Sequence, residues 1–295
     1  MDLRAALMGL AFVFMWSSAF TSARMIVIDA PPMTALAFRF LISGLIGIGI
    51  ALALGQSWRL NPAQRRSVLI FGLCQNALYL GLNFVAMRSI EASLASIIAS
   101  TMPLLVALLG WVFFGDRIRP LGIAGLFAGV AGVAVIMGAR IEGGVDLTGV
   151  LMCGIGALAL AVATLTVRSA TSGGNLLMIV GLQMLVGAAI LAVAAVLFED
   201  WQVTWTLRLI LAFAYTTLVP GLLATWVWFR LVGRIGAVRA ATFHFLNPFF
   251  GVATAAILLG ESLRWADFAG VAVIMAGILA VQMSKQIKPA AEAVG

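Results

Sequence analysis

The chain has 295 residues, of which 63% are hydrophobic and only 10% are charged, and its mean hydropathy is +1.13. Soluble globular domains are about 45–50% apolar and about 25% charged, so this composition excludes a soluble domain and predicts a protein embedded in lipid. The net charge of +7 does not indicate nucleic-acid binding, because the basic residues fall between apolar runs and the longest cluster is the pair Arg65 and Arg66.

Apolar runs, each bounded by charged residues, Gly or Pro, predict ten transmembrane helices in chain order. The first run is too long for the hydrophobic region of a signal peptide and is followed at once by further spans, so we expect an uncleaved helix. Backbone polar groups cannot remain unpaired in lipid and the sequence has no alternating barrel strands, so the predicted fold class is all-α. The predicted spans are 5–28, 33–55, 67–87, 92–114, 120–139, 147–168, 175–198, 208–232, 236–259 and 265–284.

The distribution of Lys and Arg predicts how these helices are oriented. Of the 18 basic residues, 12 fall on the side that holds both termini, five fall on the other side, and Arg39 lies inside the second span. Cytoplasmic loops are enriched in positive residues. We therefore expect a multi-pass protein of the cytoplasmic (inner) membrane with both termini in the cytoplasm.

The two halves of the chain resemble each other at an offset of 145 residues. The pattern Pro-x11-Gly-acid-x2-Arg begins at Pro103 and again at Pro248. Five helices per half is an odd number, so the second half must enter the membrane in the opposite orientation, as in the inverted repeats of many secondary transporters. The sequence predicts a first five-helix repeat at 1–140, a second at 141–288 and a short cytoplasmic tail at 289–295.

Two tracts carry a resemblance to a known family. They are EASLASIIASTMPLLVALLGWVFFGDRI at 91–118 and GAVRAATFHFLNPFFGVATAAILLGESL at 236–263. Together with Trp16 and Ala37-Phe38-Arg39, they resemble the drug/metabolite transporter superfamily, in its ten-helix exporter branch with two EamA-type halves. The resemblance implies ten helices, cytoplasmic termini and export of amino acids or related metabolites, and the aromatic-rich character resembles exporters of aromatic and other neutral amino acids.

Polar and aromatic side chains inside the spans are candidates for the substrate site, because polar groups at membrane depth are costly unless they line a wet cavity or face a partner. In the third span, Asn76, Tyr79 and Asn83 share one helical face. The alternative for such residues is packing, since Ser and Thr often bond the carbonyl four residues earlier and Asn often joins helices. The predicted substrate-binding residues are Trp16, Ser17, Phe20, Arg39, Asn76, Tyr79, Asn83, Ser96, Ser100, His244 and Asn247.

Two of these candidates leave a specific alternative open. Arg39 can hold a substrate carboxylate or extend to the membrane surface. His244, the only histidine, can face a polar solute as a neutral imidazole or be a hydrogen-bonded core residue. Other polar candidates inside the spans are Thr101, Thr164, Thr166 and Gln183.

Pro103 and Pro248 occupy matching positions in the two halves, and each removes a backbone hydrogen bond. We predict hinges there, with static kinks as the alternative. Glycines in the fifth and tenth spans have spacings of three, four and seven, which let helices approach closely, so we assign these spans to scaffold or dimer contacts. These glycines are Gly122, Gly125, Gly129, Gly132, Gly270 and Gly277.

The mechanism is constrained by motifs that the sequence lacks. It has no G-x-x-x-x-G-K-[ST] motif for ATP, and no cofactor is predicted. Cys74 and Cys153 have no second Cys or His at ligand spacing, so no metal site is predicted either. No Asp or Glu lies in the middle of a predicted span, which favours facilitated diffusion or exchange and disfavours cationic solutes. His244 is then the one proton-sensitive group.

With the resemblance, these features predict a secondary transporter rather than an enzyme. It would export a small-molecule substrate, above all neutral or aromatic amino acids, by alternating access through a central cavity in the lipid bilayer, as a monomer or homodimer. The alternatives are export of other metabolites or drugs, a channel, and an intramembrane enzyme with His244 as base and Ser96 or Ser100 as nucleophile.

Overall fold

A computed structural model describes residues 3–166 and 175–286, and within these residues the chain is helical, without a strand. Ten stretches are long and apolar enough to cross a membrane, which confirms the predicted all-α membrane fold. The predicted tail at 289–295 and the end of the predicted sixth span, 167–168, lie outside the described residues. Spans 1 to 10, in chain order, are Leu3–Asp29, Pro32–Ala53, Pro62–Ala86, Ala92–Phe113, Pro120–Glu142, Leu147–Leu165, Leu176–Phe198, Leu207–Ile235, Arg239–Leu259 and Trp265–Ser284.

Local capping signals explain where several spans begin and end. Span 3 begins earlier than predicted because Asn61 and Gln64 form a capping box, in which each side chain accepts a hydrogen bond from the other residue's backbone N–H, at 2.8 and 3.1 Å. The helices of spans 4 and 9 end at Gly115 and Gly260, whose φ angles of 67° and 68° lie in the left-handed region. These two glycines are equivalent at the 145-residue offset.

Four spans depart from regular α-helical geometry. Span 3 is a π-helix over Gly72–Leu80 and span 8 over Val219–Leu223, whereas span 4 is interrupted at Thr101 and span 9 is a 3-10 helix over Phe243–Leu246. A shift of 145 residues places each irregular segment of the first half on one of the second half. The α-helical pieces of these spans are Pro62–Phe71, Gly81–Ala86, Ala92–Ser100, Met102–Phe114, Leu207–Leu218, Ala224–Ile235, Ala237–Thr242 and Asn247–Leu259.

Spans 5 and 10 pack backbone to backbone through the predicted glycine face. A Cβ added to Gly125 would lie 2.7 Å from the carbonyl oxygen of Gly277, and one added to Gly132 would lie 2.8 Å from that of Gly270. The order of these contacts along each helix shows that the two spans are antiparallel. The glycine face is buried within this chain and is therefore a scaffold contact, not a dimer surface.

Ion pairs tie several spans together at one end of the bundle. We call this end the distal end; it holds the loops that join spans 1 and 2, 3 and 4, 5 and 6, 7 and 8, and 9 and 10. The opposite end, where span 1 begins, is the terminal end. Arg208 pairs with Asp29 at 2.7 Å and so joins span 8 to span 1. Arg140 of span 5 pairs with Asp267 of span 10 at 2.9 Å and with Glu91, at the start of span 4.

Other carboxylates at the distal end cap helix N-termini. Glu199 accepts hydrogen bonds of 2.7–2.8 Å from backbone N–H groups in the first turn of span 2, and Glu261 accepts bonds of 2.7–2.9 Å from those of span 4. In the loop before span 6, the Ser89 hydroxyl donates to the Asp146 carboxylate and lowers the pKa of that group. Charged groups at the distal end thus join neighbouring spans and cap their helices.

Candidate substrate cavity

A cavity of about 330 Å³ lies inside the helix bundle, and we call it the central cavity. Its described lining residues come from eight spans, and none of them comes from spans 5 or 10. It extends to Ser67 and Leu176, which lie within the first two turns of spans 3 and 7 at the terminal end. The cavity therefore reaches toward the end of the bundle that is opposite to the ion pairs.

Two smaller cavities adjoin the central one. The first, of about 50 Å³, shares Trp16 and Arg39 with the central cavity. The second, of about 30 Å³, shares Trp16 and His244 with it. Phe20 and Tyr79 line both of the smaller cavities. Trp16 therefore lies where all three cavities meet.

Aromatic rings from spans 1, 8 and 9 form one wall of the central cavity. The Phe12 ring centroid lies 5.7 Å from that of Trp16, 4.8 Å from that of Trp228 and 5.3 Å from that of His244. The rings of Trp228 and His244 lie 5.4 Å apart. Such an assembly presents flat apolar surface with polar edges, which suits a solute that carries a ring.

His244 is oriented by a hydrogen-bonded chain that reaches span 1. Its Nδ1 lies 2.9 Å from Asn247 Nδ2, and Ser17 Oγ donates to Asn247 Oδ1 at 3.4 Å. An amide nitrogen only donates, so Nδ1 accepts this hydrogen bond. The lone histidine therefore lines the cavity with a ring that is held by Asn247.

Arg39 lies in the cavity region and does not extend to the membrane surface. Its side chain lines both the central cavity and the 50 Å³ cavity, and the residue is only 6% exposed. Its guanidinium carbon lies 5.4 Å from the centroid of the Phe40 ring, and its Nε has no hydrogen-bond partner. The structure therefore has Arg39 buried at the cavity, and not in the alternative position in which its side chain extends to the membrane surface.

The polar face of span 3 combines packing with cavity lining. Asn76 lines the central cavity, and its Nδ2 donates to the carbonyl oxygen of Gln183 in span 7 at 2.8 Å. Asn83 lines the 50 Å³ cavity, and its Nδ2 donates to the carbonyl oxygen of Tyr79 at 2.7 Å. Each amide group therefore donates one hydrogen bond to a backbone carbonyl oxygen of the protein.

Of the predicted site and hinge residues, all of which are described, Ser17, Ser96 and Pro248 line none of the three cavities. Ser96 packs against Gly251 of span 9, where a side chain would collide with its hydroxyl. Ser100 does line the 30 Å³ cavity, but its hydroxyl donates to the Ser96 carbonyl oxygen at 2.7 Å. These serines thus serve helix packing, and Ser17 acts on the cavity only through Asn247.

The two repeat-equivalent prolines lie differently. Pro103 lines the 30 Å³ cavity and follows the interruption at Thr101, whereas Pro248 is buried and follows the 3-10 segment Phe243–Leu246. Each proline therefore lies just after an irregular segment. The role of Pro103 and Pro248 as hinges stays a prediction.

Several lining residues were not among the sequence candidates. Phe12 and Trp228 complete the aromatic wall, Gln75 lines two cavities, and Pro220 and Gly221 contribute the π-helical segment of span 8. A signal existed for Phe12, which precedes Trp16 by one helical turn. Pro220 itself marks the irregular segment of span 8 in the sequence, whereas no signal marks the π-helix of span 3 that carries Gln75.

The chemistry of the lining is that of a binding site. Within the described part of the chain, no Asp or Glu lines any of the three cavities, and no group of three or more His, Cys, Asp and Glu could hold a metal ion. The cavities offer aromatic surface, amides, an imidazole and one guanidinium. These groups can hold and orient a small organic molecule.

Comparison with known proteins shows which family this chain matches. The model of the EamA-like transporter family matches the chain over residues 3–138 and again over residues 147–283. The chain is 28% identical over 289 residues to a Bacillus subtilis (strain 168) protein named uncharacterized transporter YvbV, which covers 98% of this chain and 94% of that protein. It is 23% identical to a probable amino-acid metabolite efflux pump of Salmonella typhimurium, over 94% of each chain. A crystal structure with 23% identity has the same fold, with a TM-score of 0.69 over 98% of this chain and 100% of that one.

Proposed function

We propose that this chain, which belongs to the EamA-like transporter family, exports small organic solutes across the cytoplasmic membrane, above all neutral and aromatic amino acids. The observation that carries the proposal is the central cavity, which has an aromatic wall and reaches toward the end opposite to the ion pairs. A carrier needs such a compartment with access to one side at a time. The Salmonella relative, which is named a probable amino-acid metabolite efflux pump, supports amino acids as the solute class.

The proposed architecture consists of two inverted halves, 1–140 and 141–288. Two observations support it: the irregular segments occur in pairs at the 145-residue offset, and the contact between Gly125 and Gly277 has a counterpart between the equivalent residues Gly270 and Gly132. An exchange of equivalent contacts is what a two-fold relation between halves produces. In alternating access, such halves rock about a site near the midplane.

The excess of basic residues at the terminal end supports the proposal that this end lies in the cytoplasm. The central cavity would then face the cytoplasm and receive the solute from inside the cell. Release on the other side would require the distal ion pairs, such as that between Asp29 and Arg208, to separate. The cavity lining holds no carboxylate among the described residues, which supports facilitated diffusion or exchange over proton coupling.

The enzyme alternative lacks the required contact among the described residues. A hydrolytic pair would need His244 bonded to Ser96 or Ser100. His244 instead contacts Asn247, and Ser100 donates to a backbone carbonyl. We therefore assign His244 to solute contact and not to nucleophile activation.

The experiment that tests the proposal measures flux in proteoliposomes of radiolabelled tryptophan, phenylalanine, leucine, alanine, lysine and glutamate, with and without a pH gradient. We expect saturable flux of the neutral and aromatic members. Trp16→Ala should weaken it by at least about tenfold, because a central aromatic contact of a binding site is removed. The matched control is Trp265→Ala, at a tryptophan that is 88% exposed and outside the cavities, which should leave flux unchanged.

Other outcomes would redirect the proposal. Flux that never saturates would indicate a channel. No flux of any amino acid from purified, monodisperse protein would contradict the amino-acid proposal and leave export of other metabolites or drugs.

A further inference from the structure

Arg39 is a charged residue inside the membrane region. It is the eighth residue of span 2 and is 6% exposed. A cation at membrane depth is costly, so such residues almost always pair with an acid or face a water-filled or ligand-filled space. The surroundings of Arg39 decide between these possibilities.

The described surroundings of Arg39 contain no counter-charge. None of the residues that line the two cavities shared by Arg39 is Asp or Glu, and its Nε has no hydrogen-bond partner. By contrast, the equally buried Arg140 is paired with both Asp267 and Glu91. This chain therefore compensates its buried arginine at the distal end and leaves the one at the cavity uncompensated.

The space beside Arg39 contains a second polar group without a partner. Ser43 is 1% exposed, and its Oγ has no hydrogen-bond partner. A Cβ added to Gly221 would lie 3.6 Å from both Arg39 Nη2 and Ser43 Oγ, so the two groups border one small space in front of the π-helical segment of span 8. The absent side chain of Gly221 leaves this space open toward the central cavity, which Gly221 also lines.

The chemistry of these groups selects a carboxylate. A guanidinium is a planar fork of donors that matches the two oxygens of a carboxylate. Trp16 lines both cavities that Arg39 lines, so an aromatic surface is within reach of the same solute. No acidic group among the described lining residues would pair with an ammonium.

We infer that Arg39 is the carboxylate-binding residue of the cavity, and that the substrates are aromatic and apolar monocarboxylates whether or not they carry an amino group. This inference rests on the proposed function, since it names the solute class of the same cavity. Amino acids are then recognised through their carboxylate and side chain. Their ammonium group adds little to binding.

The experiment compares four probes that share a benzyl group in proteoliposomes. L-phenylalanine has both charges, 3-phenylpropanoate keeps only the carboxylate, and L-phenylalaninamide and 2-phenylethylamine keep only the amine. We expect flux of the first two and little flux of the last two. Arg39→Gln should raise the half-saturation concentration of both carboxylates by about ten- to a hundredfold, the effect of losing a hydrogen-bonded charge. Arg39→Lys should restore only part of the lost affinity.

The matched control is Arg230→Gln, in span 8. Arg230 is an exposed arginine that lies over the Trp226 ring, 5.2 Å from its centroid, outside the cavities, so its loss should leave half-saturation unchanged. A second measurement is thermal unfolding of the protein in detergent. A bound ligand raises the unfolding temperature, so 3-phenylpropanoate should stabilise the intact protein and the Arg230→Gln variant but not a folded Arg39→Gln variant.

The outcomes separate this inference from the proposed function. Flux of phenylalanine together with phenylalaninamide, unaffected by Arg39→Gln, would overturn the role of Arg39 and leave amino-acid transport in place. Arg39-dependent flux of 3-phenylpropanoate without flux of phenylalanine would support the carboxylate site and overturn amino-acid export. No flux and no thermal shift with any of the four probes would overturn both.

Discussion

Two arginines that are equally buried differ in what surrounds them. Arg140, at the distal end, is held by Asp267 and Glu91, whereas Arg39 faces the central cavity without a described carboxylate beside it. Both are 6% exposed. The carboxylates beside Arg140 thus join helices at one end, whereas the space beside Arg39 is left for the carboxylate of the proposed solute.

The two surroundings also differ in the helices that build them. Arg140 and Asp267 lie on spans 5 and 10, which are regular α-helices in backbone contact through glycines. Arg39 faces spans 3 and 8, both of which contain π-helical segments. Departures of this kind from α-helical geometry are common at functional sites. The scaffold pair thus consists of regular helices, whereas all four irregular spans line the cavity, together with the regular spans 1, 2, 6 and 7.

The largest effect is expected from removing the charge of Arg140. Arg140→Met leaves the Asp267 carboxylate, which is 1% exposed, without its partner. Breaking a buried ion pair in this way costs about 3–5 kcal/mol, so the variant should unfold at a clearly lower temperature in detergent. Removing both charges, with Arg140→Met and Asp267→Leu together, should recover part of that loss.

The matched control for Arg140→Met is Arg39→Met. It removes a cation without a counter-charge, so the unfolding temperature should stay the same or rise, even though transport is lost. If the two variants lose the same stability, the contrast between the two arginines is wrong.

A smaller loss is expected from separating spans 5 and 10. In Gly277→Ala, the new Cβ would lie 2.6 Å from the Gly125 carbonyl oxygen and 2.7 Å from the Gly129 backbone nitrogen, so the helices must move apart. Forcing a group into a packed contact typically costs about 1–3 kcal/mol. Thermal unfolding should detect this loss.

Gly138→Ala is the control for the same scaffold. Gly138 lies in span 5, and a Cβ built there has no atom within 4 Å, so this variant should be as stable as the intact protein. Equal stability of Gly138→Ala and Gly277→Ala would show that the glycine contact does not hold the two spans together.

The sequence predicted the spans well because hydropathy is a local property, and the ten predicted spans match the ten observed ones with shifts only at their ends. The cavity was harder to predict because it depends on which helix face meets which neighbour. Ser96 lies against Gly251 in the structure, and only the packing of span 4 on span 9 determines this.

Gln75 illustrates a second limit of prediction from sequence. A period of 3.6 residues groups Asn76 with Tyr79 and Asn83, but the π-helix over Gly72–Leu80 has a wider turn. Leu80, five residues after Gln75, consequently lines the same cavity as Gln75 and Tyr79. A helical period read from the sequence cannot anticipate such a change, because hydropathy does not distinguish a π-helix from an α-helix.

The smallest effect is expected at Asp146, a charged group of the distal end that is only partly buried and forms no ion pair among the described residues. Its pKa is lowered, first by the hydrogen bond from the Ser89 hydroxyl and then by backbone N–H groups. A lowered pKa means that the ionised group stabilises the fold at neutral pH, and that this contribution disappears as the pH falls through the range in which the carboxyl becomes protonated. Asp146→Asn should therefore lower the unfolding temperature at pH 7 by less than Gly277→Ala does, and should differ less from the intact protein below about pH 4. Ser89→Ala removes the main hydrogen-bond donor to Asp146 and should lower the unfolding temperature at pH 7 by a similar amount. A loss as large as that of Arg140→Met would mean that a partly buried charge stabilises the distal end as much as a buried ion pair does.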